Sequence, residues 1–414
     1  MHNTTIDRRA FLRTGAASAA GIAFGAHTLA SGMSFQGVPN GHGRNLVLVQ
    51  LSGGNDGLPT IVPYGDDELH RVRKTTARKA ADVLRVDDYR GFHPELRSMH
   101  AEYDAGRLAI VEGCGYPDAI RSHFKSYEVW HTGHHSGRAS GDGWVGRLAA
   151  TAWSDDTQPD RVVHFGGKAP YSLHSSTHPA VALASPTGYR WFGDDDVYAM
   201  AGTAICEHEP DPHVDPRHAG RDKALAKLRS TLDDARASSA RVRRAAARYS
   251  TDVVYPKSRL AAGLRDAAAL LSTDIGTRIF SVEEGGYDTH TNQRVAHDRK
   301  MVELDQALGA FLTDIRRSEA GRRTVVLVFS EFGRRVKENG SRGHDHGKAG
   351  PMLVFGGDVK GGLHGEHPSL TELDAGDLAF TTDFRSVYAT LIERWMAADA
   401  KAVLGVKYPL IDLV

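Results

Sequence analysis

The chain has 414 residues and no formal net charge, 51 Lys and Arg being matched by 51 Asp and Glu. That balance excludes a nucleic-acid partner, which needs a basic field, and a disordered acidic chain. Hydrophobic residues at 41% and charged residues at 25% are those of a globular protein that needs no staples. The 22 histidines are numerous for a neutral chain, so their placement is worth following.

Residues 1–30 read as an export signal. Arg8-Arg9-Ala10-Phe11-Leu12-Arg13 is a twin-arginine pattern. The Ala/Gly-rich stretch from Thr14 to Ala30 is too short and too weakly apolar to span a bilayer, and Thr28-Leu29-Ala30 offers a small-residue cleavage site. The expectation is a slightly acidic mature protein of residues 31–414. The twin-arginine translocase would carry it, already folded, to the periplasm, cell surface or medium. No other stretch predicts an integral membrane span. Cys114 and Cys206 leave a single disulfide and two separate buried thiols both open, and there is no C-x-x-C.

Five apolar runs read as buried strands, each ending in glycine or polar residues. They are Leu46–Leu51, Leu108–Val111, Arg278–Val282, Val325–Phe329 and Met352–Phe355. Helical patterns lie between them, at His93–Asp104, Ser122–Trp130, Arg221–Ala247, Arg259–Leu271, Gln293–Ala320 and Asp383–Met396. Continuous apolar strands alternating with helices predict a mostly parallel sheet covered on both faces. The segment 155–255, with its scattered His, Pro and Asp, reads as an elaboration or cap on a single α/β domain. His297-Asp298 reads as the solvated side of a helix.

Ligands of open α/β sheets bind beyond the carboxyl ends of the strands, and chemistry-bearing residues collect there. Asp56 follows the first strand in Gly53-Gly54-Asn55-Asp56-Gly57, which is also a good turn sequence. Ser122 follows the second strand where a helix begins. It reads as an N-cap or as a nucleophile in the positive field of the helix end, flanked by Arg121 and His123 as contacts for an anionic substrate. Asp288 and His290 follow the third strand; on extended backbone they point the same way and suit a Zn²⁺- or Mn²⁺-like ion. Glu331 follows the fourth strand, as a ligand or as a partner for Arg334 or Arg335. His344, Asp345 and His346, framed by glycines, sit on the loop entering the fifth. There is no G-x-S-x-G elbow and no Walker loop.

These segments together resemble the exported domain of unknown function 1501 family, within the alkaline phosphatase and sulfatase superfamily. The matching stretches are Leu51-Ser52-Gly53-Gly54-Asn55-Asp56-Gly57, Arg121-Ser122-His123-Phe124, Gly143-Trp144-Val145-Gly146-Arg147, Gly286-Tyr287-Asp288-Thr289-His290, Ser330-Glu331-Phe332-Gly333-Arg334 and Arg342-Gly343-His344-Asp345-His346. The resemblance implies an alkaline phosphatase-like three-layer sandwich and a metal-dependent hydrolase of small anionic phosphate or sulfate esters. It implies Ser122 as nucleophile, with one or two divalent ions (Zn, Mn, Mg or Ca). Asp56 and Glu331 would hold one ion, and Asp288, His290 and His346 or His344 the other. Arg121 and Arg334 would bind substrate oxygens. Phe332 stands where the superfamily places a histidine, which weakens one metal position. The alternative is a non-catalytic secreted binding or assembly protein with a degenerate metal site.

Overall fold

Asn45–Leu51 (β1) is buried along its whole length, as a strand covered on both faces must be. A computed structural model describes residues 43–134, 141–156, 158–189 and 233–414. The remaining central strands are β2 (Leu108–Gly115), β3 (Val162–Phe165), β4 (Val181–Leu183), β5 (Ile279–Glu284), β6 (Thr324–Phe329), β7 (Gly350–Phe355), β8 (Gly362–His364) and β9 (Thr382–Asp383). Their spatial order is β8-β2-β7-β6-β1-β5-β3-β4, with β9 also paired to β2. β1 runs parallel to β5 and β6, and β3 runs parallel to β4 and β5. Only β7 is reversed, antiparallel to both β2 and β6.

Alternating side chains of each strand feed two cores on opposite faces. Val47, Val49 and Leu51 of β1 pack with three helices: α1 (Arg97–Asp104), α4 (Arg259–Thr273) and α5 (Gln293–Ile315). Leu46 and Leu48 pack on the other face with α2 (His123–Thr132), α3 (Trp144–Ala152) and α6 (Phe384–Thr390). This is the expected three-layer, mostly parallel α/β arrangement. No helix among the described residues is long and apolar enough to cross a membrane.

The described part of 155–255 is not all cap. β3 and β4 lie within it and extend the sheet beyond β5. Both are short runs set among His, Pro and Gly, so neither stands out as an apolar segment. Residues 1–30, expected to be an export signal, lie outside the described residues, as do Cys206 and the Glu207–His213 run. Cys114 is buried on β2, where loss of solvation pushes its thiol well above the usual range.

The reversal of β7 positions the site. Loops leaving β1, β2, β5 and β6 emerge at one sheet edge, and the loop entering an antiparallel strand arrives at that same edge. The 342–347 loop therefore meets the segments after β2, β5 and β6 although it precedes its own strand.

Candidate metal centre

Asp288, ten residues past the start of the third expected strand run and just beyond β5, is the common neighbour in the cluster. Its Oδ1 lies 3.0 Å from His290 Nε2 and 3.1 Å from His346 Nε2, and its Oδ2 lies 3.6 Å from His123 Nε2. His290 and His346 face each other Nε2 to Nε2 at 3.0 Å, and the rings of His123 and His346 have centroids 4.5 Å apart. Four of the expected residues, from two loops and the first turn of α2, thus converge.

Each member is fixed from behind. His123 Nδ1 donates to Glu331 Oε1 at 2.8 Å. His290 Nδ1 donates to Asp345 Oδ1 at 3.2 Å, and His346 Nδ1 donates to the Arg121 carbonyl at 3.2 Å. Arg334 donates to Asp288 Oδ1 at 2.7 Å. Outer partners of this kind fix the tautomer and aim of metal-binding histidines. A neutral imidazole whose Nδ1 donates presents a lone pair at Nε2. The lone pairs of His290 and His346 therefore converge on each other and on a carboxylate oxygen, a donor set that a divalent cation satisfies. Imidazole nitrogens with a carboxylate suit Zn²⁺ and related ions.

Electrostatics follow from these contacts. Burial alone would raise Asp288, but its contacts with Arg334 and His346 and the charges of Arg334 and His290 hold it down to about 2. The Glu331 hydrogen bond raises His123 above its ordinary value. Glu331 is 1% exposed, and the His123 contact and backbone donors outweigh its burial and keep it below the usual carboxylate range. Gly53 N–H donates to it at 2.9 Å, and Ser330 Oγ at 3.1 Å. Glu331 is thus an outer support of His123. It pairs with neither Arg334 nor Arg335.

Two other expected ligands stand apart from the cluster. Asp56 is held away from the cluster: its carboxylate takes two hydrogen bonds from Arg73, at 2.7 and 3.1 Å, and one from Gln293 at 2.6 Å. It also accepts from Leu58 N–H as the cap of the short Gly57–Thr60 helix. Burial would raise it, and the Arg73 charge wins and lowers it. His344 has both ring nitrogens engaged, by Thr76 Oγ1 at 2.9 Å and the Arg335 carbonyl at 3.1 Å. Burial, then the Arg73 charge, pushes it down to about 4. His346 is the member of the His-Asp-His run that reaches the cluster, and Asp345 between them supports His290.

Neither arginine is free to clamp a substrate. Arg334 is fully buried and donates to the carbonyls of Gly53, Gly54, Tyr287 and His344 as well as to Asp288. Arg121 donates to Asp377 at 2.6 Å and to the Ala375 carbonyl at 2.8 Å. Ser122 is the N-cap residue of α2, directly ahead of His123. Its carbonyl accepts the first helical hydrogen bond from Ser126, while its hydroxyl makes no capping bond.

Phe332 packs its ring 4.9 Å from that of His123 and 4.7 Å from that of His346. The glycine loop after β1 is the shelf beneath it. Gly54 has φ of +73°, and a Cβ there would sit 2.2 Å from the Phe332 ring. Those glycines provide backbone donors and acceptors for Glu331 and Arg334 rather than a ligand loop.

A second His/Asp group joins His93 to His297 and Asp298, the pair expected on the solvated side of a helix. His297 is instead buried, with its Nε2 3.1 Å from Asn55 Oδ1. Asp298 lies 3.0 Å from His93 Nε2 and is paired with Arg78, whose guanidinium already supplies the cation.

A cleft of about 770 Å³ adjoins the centre, lined by Gln50, Phe124, Tyr127, His131, Lys168, Tyr171, His174 and Glu283 among others. Tyr127 joins the two, stacking on His123 at 6.2 Å and on His131 at 5.2 Å.

No curated protein matches the sequence. Among solved structures, the lipoteichoic acid synthase LtaP from Listeria monocytogenes is 11% identical, over 83% of this chain and 76% of that one, with a TM-score of 0.38. A protein in the alkaline phosphatase superfamily from Vibrio parahaemolyticus is 12% identical, over 87% and 71%, with a TM-score of 0.34. TAB5 alkaline phosphatase is 10% identical, over 75% and 90%, with a TM-score of 0.31. Over residues 43–404 the sequence matches one family throughout, and the chain belongs to it: the family described as protein of unknown function (DUF1501).

Proposed function

We propose that this is an exported metal-dependent hydrolase of phosphate or sulfate esters built around a single metal centre. The observation that carries the reading is the convergence of Asp288, His123, His290 and His346, each fixed by an outer partner. These four residues would hold the ion. A bound divalent ion supplies Lewis-acid polarisation of an ester oxygen.

The chain's own residues do the rest. Glu331, Asp345 and the Arg121 carbonyl hold the three Nδ1 protons and so keep the Nε2 lone pairs aimed inward. Arg334 anchors Asp288 to the loops after β1 and β5. Ser122 is the nucleophile in this reading, because its hydroxyl is uncommitted, it precedes His123, and it lies at the positive end of α2. The buried Phe332 takes the space beside the histidines, which favours one ion over two.

The test is metal analysis of the purified folded protein, followed by assays on phosphomonoesters, phosphodiesters and sulfate esters. We expect about one equivalent of a divalent ion, and turnover abolished in Ser122→Ala with the ion retained. A protein that binds no ion tightly and stays inert with added Zn²⁺, Mn²⁺, Mg²⁺ or Ca²⁺ ends the hydrolase reading.

One observation favours a second reading, a secreted metal-holding binding or assembly protein without turnover. Arg121 and Arg334 are both spent on internal partners, leaving neither guanidinium for a tetrahedral anion. Bound metal with no ester turnover is its signature.

A further inference from the structure

The cleft beside the centre has two kinds of wall. One is aromatic: Phe124, Tyr127 and His131 recur along one face of α2 at helical spacing and all line it. Phe124 is 88% exposed, a large apolar face left in water on a helix whose other side is buried. Tyr171 and His174 stack on each other at 5.6 Å on the same cleft. The other wall is polar. Gln50 and Ser52 are joined to each other and to Glu283, with Ser52 donating to Glu283 Oε1 at 2.5 Å. Lys168 adds an ammonium.

That combination restricts the occupant. A lipid or alkyl group would cover Phe124 but strip water from the Glu283 carboxylate and the Lys168 ammonium without offering either a polar partner, which is costly. A small acyclic polar group would use the carboxylate and ammonium but leave the exposed aromatic faces in water. A ligand with an apolar ring face and a hydroxyl-bearing edge satisfies both walls. Glu283 is acceptor-only when ionised, which suits an edge rich in hydroxyl donors. The volume of about 770 Å³ falls within the roughly 300–1,000 Å³ of pockets that enclose drug-sized ligands, well beyond a bare phosphate or sulfate group.

We propose that this cleft binds sugar rings, the exposed Phe124 and the Tyr171–His174 pair stacking on them while Glu283 and Lys168 take their polar edge, so that the substrate is a saccharide ester of disaccharide size. The choice of ester chemistry rests on the hydrolase reading; the saccharide site does not. Tyr127 links the sites, so the ring carrying the ester would sit nearest His123.

The experiment has two arms. The first measures binding of ester-free neutral and acidic disaccharides to the metal-loaded full chain by calorimetry. Phe124→Ala, Lys168→Ala and Tyr171→Ala are compared with wild type. The second compares kcat/KM for methyl, nucleoside and disaccharide esters of phosphate and sulfate. We expect saccharide binding to weaken at least tenfold in Phe124→Ala, with metal content unchanged. We expect KM for disaccharide esters to rise by a similar factor in that variant, with methyl-ester turnover unaltered. Saccharide binding that depends on Phe124 without hydrolysis of any ester sustains the cleft and ends the hydrolase reading. Ester hydrolysis with no saccharide binding, or with nucleoside esters preferred, overturns the saccharide assignment and leaves the hydrolase standing.

Discussion

Glu331 and Asp345 carry much of the candidate site without joining the donor cluster. Each accepts an Nδ1 proton and thereby fixes which imidazole nitrogen faces inward. Glu331→Gln keeps the size and leaves the shelf intact, but it removes the charge that holds His123. We expect metal affinity to fall about 10- to 100-fold with the fold retained, read by competition with a metal-sensitive chelator. Unchanged affinity would mean that His123 does not bind the ion. Asp56 is the opposite case. It is paired with Arg73 where both side chains are 1% exposed. Removing one partner of a buried ion pair costs about 3–5 kcal/mol. Asp56→Asn should therefore lower the melting temperature sharply, while the protein that remains folded binds metal as wild type does. Metal loss at unchanged stability would restore Asp56 to the ligand set.

At the scale of elements, the glycine loop after β1 and the loop entering β7 form one layered unit. Gly54 lies against Phe332, and Phe332 lies against two of the histidines. Gly54→Ala adds a Cβ 2.2 Å from that ring at a φ of +73°. We expect lower stability and weaker metal binding, with part of the metal binding returning in Gly54→Ala/Phe332→Ala, where the ring is gone. Circular dichroism melts and metal titrations of the two variants decide it; no rescue would place the strain in the backbone alone. The legible parts of this unit were its strands, since β1, β5 and β6 are continuous apolar runs closed by glycine. The meeting of His290 and His346 follows the same pattern, since both are polar residues beside strand ends. His123 was read as a substrate contact and Glu331 as a ligand because sequence spacing cannot show which of two facing polar groups stands in front. The pairing of Asp56 with Arg73 is not legible, because the arginine lies 17 residues on, in a segment without a strong pattern. The reversal of β7 has no sequence signal, yet it brings His346 to the correct edge.

The whole molecule has a histidine distribution with consequences for pH. Outside the centre, His131, His164 and His297 are buried in or against the cores. Burial is the leading cause in each, pushing His131 and His164 down to about 4 and His297 to about 3. His164 meets Ser281 Oγ at 3.2 Å, and His131 meets Gln50 Oε1 at 2.8 Å and stacks on Tyr127. The unfolded chain protonates such imidazoles near 6.5. Between the two values the unfolded state binds more protons, so stability rises with pH. The contribution is full above about pH 6.5 and is lost as pH falls toward 4. Each pKa unit corresponds to about 1.4 kcal/mol, so the three together amount to several kcal/mol over that window. We expect urea midpoints to fall steeply from pH 7 to pH 4.5. His164→Gln keeps a hydrogen-bonding partner for Ser281 and removes one titrating group far from the metal centre. Its pH profile should be shallower by the share of one histidine, at constant urea m-value, with metal held in excess so that release from the centre does not enter. A wild-type midpoint flat across this range would mean that these rings gain protons in place, through local opening that the packed cores of β1, β3 and α5 are expected to prevent.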